Sequence, residues 1–96
     1  MKLQYHRQAA SEVKQAISYY TERDPDVCGR FLAELQRVTS RLLTFPEAGP
    51  AVDDTVRRIP LLGFPFQLLY RVRPDSIHVL AVAHTSRRPG YWRGRL

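Results

Sequence analysis

Nine turn-forming residues, PEAGPAVDD at positions 46–54, divide this chain into two halves with different hydrophobic spacing. Before them, apolar residues recur every three or four positions, which is the period of an amphipathic helix. After them, β-branched and aromatic residues form short runs that are typical of strands. Because one half is helical and the other extended, we expect an α+β fold in which helices pack on one face of a small sheet.

The first half predicts two helices. From Ala9 to Arg23 the apolar positions form one amphipathic stripe. The second helix is expected to begin at Asp24-Pro25, because Asp is a good N-cap and Pro is tolerated at the first helical position. It ends near Phe45. So short a link between the helices predicts an antiparallel hairpin.

Four segments are predicted to be strands. Residues 2–6 alternate between apolar and polar and indicate a short half-buried strand. The runs at 56–61, 64–73 and 76–84 are joined by links too short for helical crossovers, so they should form a three-stranded antiparallel meander. The last run contains HVLAVA, which is apolar on both faces and therefore predicts a central strand covered on both sides.

Length and composition predict one domain, residues 1–96, with a basic aromatic tail at 86–96. No apolar run is long enough to span a membrane, and no apolar stretch follows the opening MKLQYHRQ as it would in a signal peptide. Cys28 is the only cysteine and cannot form an internal disulfide. We therefore expect a cytoplasmic protein without membrane association.

The positive charge is concentrated in the second half. Residues 1–54 carry seven basic and eight acidic side chains, whereas residues 55–96 carry eight arginines and only Asp75, a net charge of +7. Such an asymmetry predicts a surface for an anionic partner. The first candidates are Arg71 and Arg73, which have the same parity on a predicted strand and should project from one face.

The tail supplies the other candidates: Arg87, Arg88, Tyr91 and Trp92. Guanidinium groups bind phosphate bidentately and aromatic rings stack on bases, but the same residue types also anchor protein interfaces. The residue types are therefore consistent with either a nucleic-acid partner or a protein partner. The chain has no glycine-rich phosphate loop and no pair of histidines at metal-ligand spacing, so no cofactor and no metal are expected.

The segments LLTFPEAG, FQLLYRV and VLAVAHTSRRPGYW, in this order of elements, resemble the RelE/ParE superfamily. These proteins are the toxin halves of bacterial type II toxin–antitoxin pairs, and the resemblance runs from about Leu3 to Trp92. It implies a RelE-like fold, with the N-terminal strand and helical hairpin packed on the sheet. It also implies a cognate antitoxin whose acidic segment wraps the toxin, and a toxin dimer within a hetero-oligomer. The implied target is the translating ribosome or DNA gyrase.

The two branches of the superfamily imply different site residues. In a RelE-like, metal-independent endoribonuclease, His84, Arg87 and Tyr91 would be catalytic. However, Gln67 and Thr85 occupy two positions at which that branch has important arginines, and neither carries a charge. The favoured interpretation is therefore a ParE-like gyrase inhibitor, with the nuclease as the alternative. A small nucleic-acid-binding module without toxicity is a third hypothesis.

Overall fold

The computed structural model describes residues 1–96 and begins with a strand followed by two helices. Strand β1 spans Lys2–Tyr5, helix α1 spans Arg7–Arg23 and helix α2 spans Pro25–Thr44. The two helices pack against each other, and α1 also packs against the sheet. The helical pair predicted from the sequence is confirmed.

Side-chain caps set where the helices begin. The Nδ1 atom of His6 accepts a 3.0 Å hydrogen bond from the Gln8 amide, so α1 starts two residues earlier than its apolar stripe indicates. The Asp24 carboxylate accepts a 3.0 Å bond from the Asp26 amide, and Pro25 occupies the first position of α2. These contacts satisfy amide groups that have no partner inside a helix.

Three further strands and a short 3-10 helix complete the chain: β2 at Arg57–Pro60, β3 at Phe66–Val72, β4 at Ser76–His84 and the 3-10 helix at Arg93–Arg95. The bounds of β4 are those predicted. Strand β3 begins two residues later than predicted because a turn at Gly63, whose φ is +85°, precedes it. Arg73 lies just beyond its end.

The four strands form one sheet in the order β1-β4-β3-β2. Strands β2, β3 and β4 are antiparallel neighbours, which confirms the predicted meander, and β1 lies parallel to β4. The register of β3 against β4 shifts by one residue, so Leu80 has no partner on β3. Strand β1 reaches only as far as Val79 on β4, which leaves the second half of that edge without a neighbouring strand.

Both faces of the sheet are covered, as the pattern HVLAVA predicts. The inner face packs under the helices in a core that includes Phe31, Leu42, Leu68, Tyr70 and Val82. A second core lies on the outer face, where the C-terminal segment covers Val56, Leu69, Leu80, Ala81 and Ala83. The α+β prediction is confirmed. Neither helix is both long enough and apolar enough to span a membrane.

Candidate functional site

The outer face of the sheet carries a basic groove beside the C-terminal segment, which we call the tail groove. Its volume is about 490 Å³. Its lining includes five residues named above together with a strand arginine: Gln67, His84, Arg87, Arg88, Tyr91 and Arg58. The fold thus brings the three residues of the nuclease hypothesis to one place, and adds a positive charge from β2.

Arg57 and Arg58 point away from each other, as expected for neighbours on a strand. Arg58 lines the tail groove, whereas Arg57 lines a different groove and donates a 2.8 Å bond to the Gly49 carbonyl. Of these two arginines, only Arg58 can therefore contribute its charge to the tail groove.

Tyr91 is fixed by a buried network centred on Glu12 of α1. The Tyr91 hydroxyl donates a 2.6 Å hydrogen bond to Glu12 Oε2. Arg95 donates to both Glu12 oxygens, at 2.9 and 3.0 Å, in a bidentate ion pair whose side chains are each about nine-tenths buried. The carboxylate therefore holds the C-terminal segment against the first helix.

The same network completes the open half of the β4 edge. Glu12 Oε1 accepts a 3.0 Å bond from the Val82 amide, and Arg95 donates a 3.0 Å bond to the Leu80 carbonyl. Buried backbone groups of this kind require a partner. The two side chains supply the hydrogen bonds that a longer β1 would otherwise make.

The network also sets the ionisation of its members. Burial by itself would raise the pKa of Glu12, but hydrogen bonds from Arg95, Tyr91 and the Val82 amide outweigh it and lower that pKa. Burial, and then the hydrogen bond to Glu12 and its charge, raise the pKa of Tyr91 above its usual value. Tyr91 is thus held as a neutral phenol and is a poor general base.

Trp92, which was predicted to contact a target or an antitoxin, does not lie on the surface. Its side chain is 4% exposed and packs in the outer core. A large aromatic ring gains more free energy by covering apolar strand residues than by contact with water. The C-terminal segment therefore packs against the sheet through Trp92 and the partly buried Tyr91.

The other members of the tail groove are more accessible. Arg87 is exposed and its guanidinium lies 4.0 Å from the Tyr91 ring centre, in a cation–π contact. Arg88 is exposed and has no ion-pair partner. His84 Nδ1 accepts a 3.0 Å bond from the Ser86 amide, which places the hydrogen of a neutral ring on Nε2.

Arg71 and Arg73 lie apart from this cluster. They line a second groove, together with Arg57 and Glu47. The six residues predicted to contact a target or an antitoxin therefore divide into two groups, Arg71 and Arg73 in one place and the four tail residues in another.

The sequence prediction missed Glu12, Arg95 and the link between Asp53 and the tail. Asp53 Oδ2 accepts a 2.8 Å bond from Arg93, and this bond, with two backbone amides, lowers the pKa of Asp53 to about 2. A signal for Glu12 was present, because it falls between Ala9 and Ala16 on the apolar stripe of α1. No local signal marks the arginine partners.

The tail groove is suited to binding anions. Arg58, Arg87 and Arg88 carry no ion pair, so their charges are available to a partner. Gln67 and Thr85, which line the same groove, offer only neutral hydrogen bonds. No group of three or more His, Cys, Asp or Glu side chains lies close enough together to hold a metal ion.

Comparison with known proteins agrees with this fold. A family model described as the ParE toxin of the type II toxin–antitoxin system parDE matches residues 3–89. Toxin ParE2 of Mycobacterium tuberculosis, from strains CDC 1551 and H37Rv, is 29% identical over 89 residues, which are 92% of this chain and 85% of the relative.

The fold also matches a solved chain. That chain comes from a structure titled "Chromosomal ParDE TA system from P. aeruginosa" and superimposes with a TM-score of 0.73 at 22% identity. The match covers 88% of this chain and 95% of the other. Since the family model spans nearly the whole sequence, this chain belongs to the ParE toxin family of type II toxin–antitoxin systems.

Proposed function

We propose that this toxin arrests growth by inhibiting DNA gyrase, and that a cognate antitoxin neutralises it. One observation carries the choice of target: the Tyr91 hydroxyl is committed to Glu12 and its pKa is raised. Tyr91, which the nuclease hypothesis makes catalytic, thus holds the fold together. An inhibitor that acts by binding does not require that hydroxyl to be free.

The charges of the tail groove also favour binding over cleavage. A metal-independent nuclease must stabilise the extra negative charge of the phosphorane-like transition state with fixed donors. Gln67 and Thr85 lie in this groove at the two positions where the resemblance to the RelE-like branch implies arginines. Of the three residues in the nuclease hypothesis, only Arg87 carries a permanent charge, and the Tyr91 hydroxyl is engaged by Glu12.

Gyrase acts while bound to DNA, so an inhibitor that traps it meets both protein and phosphate. The exposed arginines Arg58, Arg87 and Arg88 suit such a surface, because guanidinium groups bind phosphates and also anchor protein interfaces. A gyrase target places the action of the toxin in the bacterial cytoplasm.

The antitoxin is proposed to contribute an acidic segment that wraps the toxin. The net charge of +7 on residues 55–96 supports this partner, because opposite charge speeds association. Exposed apolar side chains, including Tyr19 and Phe45 at 50% and 60% exposure, support a covering partner or a toxin dimer within the complex.

Induced expression in a bacterial host tests the target. Transcript 5′ ends mapped within minutes of arrest should show no cuts confined to translated codons, and purified toxin should inhibit supercoiling by gyrase. The double variant Arg87→Ser, Arg88→Ser should weaken this inhibition. A matched control, Arg7→Ser with Arg30→Ser, removes the same charge from two exposed helix positions and should retain full inhibition.

The outcomes separate the hypotheses. Codon-linked cuts would establish the ribosome-dependent nuclease and overturn the proposal. Arrest with intact transcripts but normal supercoiling would also overturn it. Equal loss of inhibition in the variant and its control would show that only net charge matters, and would remove the tail groove from the mechanism.

A further inference from the structure

A second basic surface lies on the outer face of the sheet, beyond the part that the C-terminal segment covers. We call it the sheet patch and define it by His6, Arg71, Arg73 and His78. Ile77 and Val79 belong to the inner core, so His78 between them projects to the outer face. Arg71 follows the inward Tyr70 and therefore projects to the same side.

The members of the sheet patch are close neighbours. Arg71 and His78 are direct register partners on β3 and β4, where facing side chains start about 5 Å apart. The rings of His6 and His78 lie 6.4 Å apart between centroids. Lys2 belongs to the same face by the alternation of β1. Three strand positions thus bring cationic or protonatable groups to one area.

Two polar atoms in the patch have no hydrogen-bond partner. Arg71 Nε and His78 Nδ1 are both shielded from solvent and unpaired, and they are the only such buried side-chain atoms in the chain. An unpaired buried donor is destabilising, because it has lost its hydrogen bonds to water without gaining one in the protein. The two atoms belong to facing residues on adjacent strands. A hydrogen-bond acceptor bound in this area would therefore stabilise the protein.

No carboxylate of the chain serves as that acceptor. Glu47, Asp53 and Asp54 line the groove beside Arg71 and Arg73, but none comes within 4.0 Å of either guanidinium. Asp53 is already paired with Arg93. The patch is therefore open to an acceptor from outside.

The electrostatics of His78 agree with an uncompensated positive field. Burial lowers the pKa of His78, and the charges of Arg73, Arg71 and His6 lower it further. His6 keeps its Nδ1 as the acceptor that caps α1, so its Nε2–H is the atom available to a ligand. A bound anion would oppose this positive field and raise the pKa of His78.

We propose that the sheet patch binds a carboxylate side chain from an acidic segment of a partner protein, with Arg71, Arg73 and the two imidazoles as donors. The proposal rests on the proposed function, because it gives the acidic antitoxin segment one specific contact. A single flexible carboxylate can reach recessed donors between strands. Nucleic acid is less well suited, because the patch has no Phe, Tyr or Trp side chain to act as a stacking platform for a base.

The test is a titration of the ¹⁵N-labelled full chain with hexaglutamate peptide, followed through the ring resonances of His78 and His6. We expect saturable shifts and a rise in the pKa of His78. Arg71→Gln should lower the affinity for the peptide about tenfold, since a charged hydrogen bond is lost. Arg87→Ser with Arg88→Ser is the control, which removes more charge from the tail groove and should leave the shifts unchanged.

A 12-base-pair DNA duplex provides the second arm. Saturation of the His78 shifts by the duplex at lower concentration than by the peptide would overturn the proposal in favour of a nucleic-acid site. Equal weakening by Arg71→Gln and by the control would reduce the binding to net charge and also overturn it. Because the titration does not involve gyrase, its result is independent of the supercoiling assay. A fingerprint spectrum of Arg71→Gln verifies that the variant folds.

Discussion

Tyr91 and Glu12, separated by 79 positions in the chain, are joined by a 2.6 Å hydrogen bond from hydroxyl to carboxylate. Arg95 closes the same network from the other side. The consequence is a C-terminal segment that is part of the folded body: it covers the outer face of the sheet and supplies hydrogen bonds to β4. Tyr91 and Arg95 therefore hold the fold together and do not belong to a mobile surface tail.

Removal of the Glu12 carboxylate should destabilise the protein strongly. Glu12→Ala leaves the buried Arg95 guanidinium without its counter-charge, and breaking a buried pair in this way costs about 3–5 kcal/mol. Urea unfolding measures the loss of stability. Glu22→Ala, at an exposed position of the same helix, should change the free energy of unfolding by less than about 0.5 kcal/mol. Equal effects of the two variants would contradict the network.

Protonation of Glu12 in acid should weaken its bonds to the C-terminal segment. The folded pKa of Glu12 lies below the ordinary value of 4.5, so its contribution to stability is complete above that value and is lost as the pH falls through the folded pKa. The stability difference between wild type and Glu12→Gln should therefore shrink below pH 4.5. Unfolding curves at a series of pH values measure it. A constant difference down to the acid limit would show that Glu12 has no lowered pKa.

Tyr91→Phe distinguishes a structural from a catalytic tyrosine. The variant keeps the ring under Arg87 but loses the bond to Glu12, so the free energy of unfolding should fall by about 1–3 kcal/mol. Growth arrest at a permissive temperature should persist, since the proposed inhibitor acts by binding gyrase and needs no chemistry from the hydroxyl. Loss of toxicity in a variant of unchanged stability would instead identify Tyr91 as a catalytic residue.

Burial of Trp92 can be measured without mutation. The ring is 4% exposed, and it is the only tryptophan in the chain. Its fluorescence should be resistant to quenching by iodide in the native protein and become accessible in urea. Efficient quenching of the folded chain would mean that the C-terminal segment does not cover the sheet in solution.

Two glycines should respond to alanine in opposite directions. A Cβ at Gly49 would lie 2.4 Å from the Arg58 carbonyl oxygen and 2.9 Å from the Tyr70 hydroxyl, so Gly49→Ala must displace backbone and should cost about 1–3 kcal/mol. Gly29 is exposed within α2 and has open space around it. Gly29→Ala should stabilise the protein by about 0.5–1 kcal/mol, because alanine is the better helix former. Thermal unfolding compares the two, and stabilisation by Gly49→Ala would contradict the close approach.

Local patterns in the sequence accounted for most of the secondary structure. The limits of β4, the cap at Asp24 and the order of elements follow from side-chain period and turn chemistry, which act over a few residues. The opposite directions of Arg57 and Arg58 follow from strand alternation in the same way. Where a local pattern was incomplete, as at the start of α1, the deciding contact was the imidazole cap from His6.

The candidate site could be read from the sequence only in part. Composition identified the arginines and aromatic residues, but it did not separate Arg71 and Arg73 from the tail cluster or show that Trp92 is buried. Those outcomes depend on which strands become neighbours and which face stays uncovered. The secondary-structure elements and the excess of positive charge follow from the sequence alone, because each depends on the residues of a short segment. The meeting of Tyr91 and Arg95 with Glu12 depends on the fold, because a buried carboxylate is stable where distant parts of the chain bring its donors together.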